Sequence, residues 1–249
     1  KKKPIVIIGE SALEGEAGKF VFEETKEFLK NNNFITEEWN ALNIMIQNAS
    51  TVGLIDLKMC NTEENNNFIF FDNLEKNNFK FLYLLGSDNF EFKKNDEFIV
   101  YQGSHGDRGA EIADIILPSA AYTEQNGLYS NLEGRIQESR KSSYPPGESK
   151  EDWEIFNLIS EKINGDLLFK NFNSLRKSVL NKIPNFSDID SLPIKKVQDD
   201  KKLTTSFIKE KIKINKIDYY YTNSISRSSK TMAECRKIRD KELKYGTNN

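Results

Sequence analysis

The chain has 249 residues, 30% of them charged, and a formal net charge of −2 at pH 7. A nucleic-acid-binding domain carries a clear basic excess, so this charge argues against a dedicated nucleic-acid binder. No apolar run approaches the ~20 residues of a membrane-spanning helix, and the beginning of the chain shows no signal-peptide pattern. We therefore expect no direct membrane insertion.

The first fifty residues indicate a strand followed by two helices. The β-branched run PIVIIGE (4–10) predicts a buried strand, and a helical segment follows over 17–30. Thr36 is a suitable N-cap for a second helix. Glu37 and Glu38 would then lie in its first turn, where carboxylates interact favourably with the helix dipole. The apolar face predicted for this second helix contains Trp39, Leu42, Ile46 and Ala49.

The turn between the first strand and helix has the position of a phosphate-binding loop. Its sequence is GESALEGEAG, which matches neither GxGxxG nor GxxxxGK[ST]. Glu10, Glu14 and Glu16 would repel a phosphate. We favour a strand-to-helix turn without a ligand.

Three further apolar runs predict the centre of a sheet. They are FKFLYLLGSDN (79–89), EFIVYQGS (97–104) and the run IILP (115–118). Crossover segments separate them, which is typical of parallel strands, and apolar residues throughout indicate burial on both faces. The sequence predicts an α/β fold with a mostly parallel sheet and flanking helices.

A mainly helical or irregular extension follows this sheet. Pro145-Pro146-Gly147 interrupts the chain, and Ser149 to Asp152 has the pattern of a helix start, followed by an apolar face of Trp153, Phe156, Ile159 and Ile163. Beyond Gly165 the periodicity weakens, and the region around 184–215 is irregular. We therefore predict an α/β domain over 1–165 and a C-terminal extension over 166–249.

The single histidine, His105, follows a predicted strand within QGSHGDRG. A histidine there, with Asp107 and Arg108 nearby, could act as a general acid or base. A nucleophile and its base need a third, orienting group, which the sequence does not specify. We favour a loop histidine held by backbone hydrogen bonds.

Glu124 and Glu133 allow two interpretations. They could form a pair of carboxylates for acid–base chemistry. They could equally anchor two loops, with Arg135 pairing one carboxylate and with Gly127 and Gly134 permitting unusual backbone shapes. We favour the structural interpretation.

The only two cysteines, Cys60 and Cys235, lie far apart, and neither belongs to a CxxC motif. Two are too few for an iron–sulfur cluster or a cysteine-based zinc site within this chain. We expect free thiols in a reducing compartment.

The segment at 101–137 carries a specific family resemblance. It reads YQGSHGDRGAEIADIILPSAAYTEQNGLYSNLEGRIQ and closely resembles the C-terminal domain of the 75-kDa iron–sulfur subunit of NADH:ubiquinone oxidoreductase, respiratory complex I. Further stretches agree in order: PIVIIGESAL, PPGESKEDWEI and SISRSSKTMAEC. The resemblance spans essentially the whole chain.

The resemblance implies a molybdopterin oxidoreductase-like fold, similar to formate dehydrogenase, in which the polar loops frame a cofactor cleft. In the mitochondrial-type family the domain is understood to hold no molybdenum cofactor. The implied site is therefore vestigial, with no catalytic, cofactor-binding or metal-ligating role. Its residues are Gly103, His105, Asp107, Arg108, Glu124, Asn131, Glu133 and Arg135.

The family's full subunit also contains a ferredoxin-like region and cysteine motifs for iron–sulfur clusters, which this chain does not contain. We expect either a C-terminal fragment or the C-terminal half of a split subunit. The resemblance then implies a scaffold without a redox centre, in the matrix-side peripheral arm at the mitochondrial inner membrane. The implied partners are the N-terminal iron–sulfur half, which would carry the clusters, and other peripheral-arm subunits.

Two other classes of function are alternatives. A molybdopterin- or dinucleotide-binding oxidoreductase fragment would place a cofactor phosphate at the loops Gly86–Asn89 and Gly103–Gly109, with Arg108 or Arg135 as contacts. An independent hydrolase would need a nucleophile motif such as GxSxG, and the sequence contains none.

Overall fold

A computed structural model describes residues 3–59, 73–87, 89, 92–182, 189–192, 205–209, 211 and 218–245, with residues 241–245 described by their backbone alone. The strands are β1 (Val6–Gly9), β2 (Leu42–Met45), β3 (Phe81–Leu85), β4 (Phe98–Gly103), β5 (Ile115–Pro118), β6 (Gly127–Ser130) and β7 (Ile136–Ser139). The α-helices with defined bounds are α1 (Gly18–Asn31), α2 (Thr51–Asp56), α3 (Arg108–Ile112), α4 (Asp152–Asn164), α5 (Phe172–Lys182), α6 (Ser224–Ser228) and α7 (Lys230–Tyr245). The predicted α/β class with parallel strands is confirmed.

Contacts divide the chain into two compact units. The first unit comprises 1–60, 128–138 and 177–216, and the second comprises 61–127, 139–176 and 217–249. The chain therefore passes between the units several times. The predicted boundary between residues 165 and 166 stays a prediction.

In the first unit, β1 and β2 form a parallel pair in which Val6 aligns with Leu42 and Gly9 with Met45. Ile8, Leu29 and Ala41 are buried. A second, separate pair of strands, β6 and β7, carries a small apolar cluster. In that cluster buried Ile136 packs against Leu128, Val179 and Leu180.

The prediction of a helix beginning at Thr36 is wrong, because this stretch contains strand β2 instead. Thr36 and Trp39 form an antiparallel bridge, and the indole nitrogen of Trp39 donates to the carbonyl of Pro4 at 2.8 Å. The apolar residues at 42, 44 and 46 also fit strand alternation. Pairing with β1 supplies main-chain hydrogen bonds that local helix signals could not outweigh.

In the second unit, β3, β4 and β5 form a parallel sheet in that order, as the three apolar runs predicted. Leu82 aligns with Ile99, and Tyr101 with Ile116. The core contains Leu74, Leu82, Leu84, Ile99 and Tyr101. The carboxyl ends of β4 and β5 lead directly into the polar loops that the sequence singled out.

Helix α4 begins two residues later than an N-cap at Ser149 would require. Its N-cap is Glu151, whose backbone N–H donates to the carboxylate of Glu154 at 3.1 Å. Gly165 ends the helix with a φ of 80°, a left-handed conformation that glycine adopts at little cost. Ile163, predicted on the apolar face, is 75% exposed.

The described part of the C-terminal extension consists mainly of helices α5, α6 and α7. Much of the irregular region predicted over 184–215 lies outside the described residues. No helix in the described ranges is both long and apolar enough to cross a membrane.

Candidate functional site

The polar loops of the second unit follow the carboxyl ends of parallel strands, where ligands bind in open α/β sheets. β4 ends at Gly103 and β5 at Pro118. The N–H of Ser119 donates to the carbonyl of Gly103 at 3.0 Å, and Ser119 also forms a parallel bridge with Lys150. The loops after both strands are therefore held side by side.

A cavity of about 330 Å³ lies at this edge of the sheet. The described residues that line it offer carboxylates, hydroxyls and one imidazole, and none of them is a lysine or arginine. They are Ser104, His105, Pro118, Ser119, Ala121, Glu124, Pro146, Glu148 and Ser149. The cavity therefore suits neutral or cationic groups better than phosphates.

His105 is held by its own loop. Its Nδ1 lies 2.9 Å from Oγ of Ser104, and its backbone carbonyl accepts a hydrogen bond of 3.0 Å from the hydroxyl of Tyr101. Tyr101 is 1% exposed. The loop histidine is thus anchored through its main chain to a core side chain.

Two glycines of this loop make room for Tyr101. A Cβ atom on Gly103 would lie 2.1 Å from the Tyr101 hydroxyl. A Cβ on Gly109 would lie 2.8 Å both from the Tyr101 ring and from the carbonyl oxygen of Ser87. Close packing explains why small residues occupy these positions.

Asp107 joins the loop to the C-terminal segment. One carboxylate oxygen caps α3 by accepting a hydrogen bond from the backbone N–H of Arg108 at 2.9 Å. The other pairs with Nε of Arg227 at 2.6 Å, and both side chains are mostly buried. Arg108 itself is exposed. Sequence reasoning missed Arg227, although it lies within the quoted stretch SISRSSKTMAEC.

Glu124 forms a local turn. Its carboxylate accepts a hydrogen bond from the N–H of Ala121 at 3.0 Å, and its own N–H donates to the carbonyl of Ala121 at 2.8 Å. This side chain therefore stabilises the loop after β5 while facing the cavity.

Sequence reasoning also missed a buried polar network. Gln102 is fully buried and donates to the Asp152 carboxylate at 2.7 Å, while the Tyr83 hydroxyl donates to the Gln102 carbonyl oxygen. Gln125 donates to the other Asp152 oxygen at 3.1 Å. Burial, together with the negative charge of Asp152, raises the pKa of Tyr83. The sequence feature that could have revealed this network is Gln102, a single amide side chain in an otherwise apolar strand.

A neighbouring buried carboxylate, Glu151, has its own partners. Lys141 pairs with one oxygen at 2.8 Å, and the indole of Trp153 donates to the other at 3.1 Å. The hydrogen bond to Glu151 raises the pKa of Lys141. The charge of this lysine is thus engaged within the loop structure.

The remaining candidate residues belong to the first unit, in the turn between β6 and β7. The side-chain oxygen of Asn131 accepts from the N–H groups of Glu133 at 3.0 Å and Arg135 at 2.9 Å. Gly134 has a φ of 79°. The Arg135 guanidinium donates to the carbonyl of Asp190 at 2.9 Å, and not to the carboxylate that we expected. Glu133 is exposed.

The first unit has a second cavity of about 330 Å³. Its polar lining residues are uncharged. It is lined by Ile46, Gln47, Asn48, Ala49, Val52, Tyr129, Ser130, Asn131, Leu132 and Gln137. The hydroxyl of Ser130 is committed to Asp56 at 2.9 Å.

One of the two cysteines lies within the described part of the chain. Cys235 is a half-buried free thiol, and Cys60 lies outside the described residues. Within the described ranges, no three histidine, cysteine, aspartate or glutamate side chains are grouped to hold a metal ion.

Two family models match the chain in sequence order. Residues 1–162 match the molybdopterin oxidoreductase model. Residues 184–235 match a model for a C-terminal region of an NADH-ubiquinone oxidoreductase subunit. The resemblance inferred from the 101–137 segment, and the fold class it implied, are confirmed.

Individual relatives agree with these models. The chain is 37% identical to the NADH-ubiquinone oxidoreductase 75 kDa subunit of Reclinomonas americana, over 95% of this chain and 34% of that protein. It is also 37% identical to the mitochondrial NADH-ubiquinone oxidoreductase 78 kDa subunit of Candida albicans, over 94% of this chain and 33% of that protein. It is 37% identical to an NADH-quinone oxidoreductase subunit of Rickettsia bellii, over 94% of this chain and 33% of that protein. The chain thus spans about a third of the length of these relatives.

Proposed function

The chain belongs to the molybdopterin oxidoreductase family, and from that premise we propose that it is a structural part of respiratory complex I. In this proposal it supports the cluster-bearing part of the subunit during electron transfer from NADH to ubiquinone and has no redox centre of its own. Its relatives are named as subunits of NADH-ubiquinone or NADH-quinone oxidoreductase. The order of the two family matches supports the assignment along the chain.

The hydrogen bonding of the candidate residues is the observation that carries the structural role. Asp107 pairs with Arg227 and caps a helix, while Glu124 accepts from its own turn. Arg135 donates to a main-chain carbonyl. Such contacts stabilise loops, whereas a working site would direct these groups towards a substrate.

The family also implies a pterin cofactor that carries molybdenum and a phosphate. Phosphates are bound by lysine, arginine or backbone N–H groups at a helix N-terminus. The second-unit cavity instead has Glu124 and Glu148 in its lining, and their charges would repel a phosphate. Lys141 and Arg227 are paired with carboxylates of this chain. The lining of this cavity therefore does not fit the phosphate of the cofactor, which supports the proposal of a vestigial cleft.

We propose the matrix-side peripheral arm of complex I at the mitochondrial inner membrane as the location. The partners are then the N-terminal iron–sulfur part of the subunit, which would hold the clusters, and neighbouring arm subunits. The mitochondrial names of relatives support this location, and the relatives' greater length supports the existence of further subunit sequence.

Substitutions that remove the polar group of a cavity-lining residue test the absence of a catalytic role. In Glu124→Gln the amide oxygen can still accept from Ala121, so the loop should keep its shape while the cavity loses a charge. We expect NADH:ubiquinone turnover per assembled complex to remain within about twofold, a difference below ~0.4 kcal/mol in the barrier. His105→Gln should behave likewise. Normal complex abundance with a tenfold loss of turnover would contradict the proposal.

Mass spectrometry of the intact respiratory complex from the native source tests membership directly. Peptides of this chain should copurify in stoichiometric amounts with NADH:ubiquinone oxidoreductase activity. Peptides continuous with cluster-binding cysteine motifs would identify one long polypeptide, and motifs on a separate polypeptide would identify a split subunit. Absence of the chain from the active complex would rule the proposal out.

A further inference from the structure

The first strand of the first unit has an unused hydrogen-bonding edge. β1 pairs with β2 alone in its sheet, and the N–H of Val6 donates to the carbonyl of Ala41 at 2.8 Å. In a parallel ladder only alternate residues of a strand bond to a given neighbour. The N–H and carbonyl of Ile7 therefore point to the opposite edge, where no described strand pairs with β1.

The side chains of this strand pair are also exposed. Ile5 is 56% exposed, Ile7 57% and Met45 51%. Residues aligned in register share a face, and Gly9 aligns with Met45, so these three side chains lie on the same face of the pair. Parallel sheets are normally covered on both faces, and two strands alone are marginally stable.

Nothing in β1 protects the edge from pairing. Natural edge strands that remain exposed usually carry charged residues, proline or a bulge, whereas residues 5–9 read IVIIG. Lys3, the described cation nearest to β1 in sequence, lies over the ring of Trp39, 5.3 Å from its centroid. The carboxylate of Glu10 accepts a hydrogen bond from the N–H of Gln47 at 2.8 Å. Both flanking charges are thus directed to their own chain.

We propose that a β-strand from the remainder of the complex I subunit pairs with the free edge of β1 and covers Ile5 and Ile7. The inference rests on the proposed function. About two thirds of each relative's sequence lies outside the part that this chain matches. That additional sequence would supply the pairing strand. The pairing strand is apolar at the positions that face Ile5 and Ile7, because both flanking charges of β1 are already engaged. It lies on the same polypeptide or on a separate one.

Photo-crosslinking in the intact complex tests the pairing. A photoreactive amino acid replaces Ile7, and a matched variant carries it in place of Phe28, which is also 57% exposed but lies on α1. The position-7 variant should crosslink to one short segment of the remaining subunit sequence, identified by peptide sequencing. The position-28 variant should not yield that crosslink.

Lysine substitutions at the same positions provide a second readout. Ile7→Lys should lower the abundance of assembled complex roughly tenfold, which corresponds to about 1.4 kcal/mol, because it places a charge beside the apolar side chains of the pairing strand. Phe28→Lys should assemble normally, although it also removes an edge-to-face contact with Phe34.

The outcomes separate this inference from the proposed function. A position-7 crosslink to this chain itself, to a second copy or to a different subunit, with the chain present in active complex, would overturn the strand pairing alone. Equal assembly of Ile7→Lys and Phe28→Lys would also overturn it. Absence of the chain from the complex would overturn both proposals.

Discussion

Gly109→Ala should destabilise the chain, although alanine is the better helix former. Gly109 lies within α3, where alanine would ordinarily gain about 0.5–1 kcal/mol over glycine. Here the added Cβ would lie 2.8 Å from the carbonyl oxygen of Ser87 and from the ring of Tyr101. Tyr101 is 1% exposed and has no space in which to move. Overpacking of this kind costs about 1–3 kcal/mol.

Thermal unfolding measures this cost. For a chain of this size each kcal/mol shifts Tm by about 2–4 °C, so Gly109→Ala should lower Tm by roughly 2–12 °C. Gly106→Ala is the matched control, because a Cβ there meets nothing within 4 Å. We expect that control to change stability by less than about 1 kcal/mol. An increase in Tm for Gly109→Ala would refute the packing argument, since helix propensity alone would then decide the result.

Three further predictions concern polar contacts. Arg227→Ala should cost about 1.5–3 kcal/mol in denaturant unfolding, since it leaves a mostly buried Asp107 carboxylate without its charged partner; a loss below about 0.5 kcal/mol would contradict this. Gln102→Leu should cost about 1–3 kcal/mol by the same assay, because Asp152 loses a buried donor, and an unchanged midpoint would show that the network is dispensable. The hydrogen bond from Lys94 lowers the pKa of Asp114. The ionised Asp114 carboxylate therefore stabilises the folded chain above its unfolded pKa of 3.8. This stabilisation is lost as the pH falls through the lower pKa of the folded state. Tm should drop less between about pH 5 and about pH 2 in Asp114→Asn than in the parent chain, and equal drops would exclude a contribution from this group.

The sheet of the second unit could be predicted because its signals are local. β4 ends at Gly103 and β5 at Pro118, and Gly86 follows the last residue of β3. The predicted burial on both faces is wrong for β5, where Ile115 is 45% and Ile116 53% exposed. The same local logic failed for the stretch after Thr36. There, both strand and helix periodicity fit, and pairing with β1 decided between them.

The polar loops could be located from sequence, but their partners could not. Asn131 accepts hydrogen bonds from residues two and four positions further along its own turn, so this contact is local in the sequence. The partner of Asp107 is Arg227, 120 residues away, and Arg135 donates to a main-chain carbonyl at residue 190. A carbonyl leaves no mark in the sequence, which is why a carboxylate partner was the wrong expectation.

The amino-acid sequence by itself determined the α/β class, the positions of the central strands and the family, because apolar periodicity and a long specific motif are properties of contiguous residues. Only the tertiary structure decided which charges are neutralised, which glycines face Tyr101 and which edge of β1 is left without a described partner. These features depend on distances between residues far apart in the chain. Such distances are fixed by packing of the folded chain and not by local propensity.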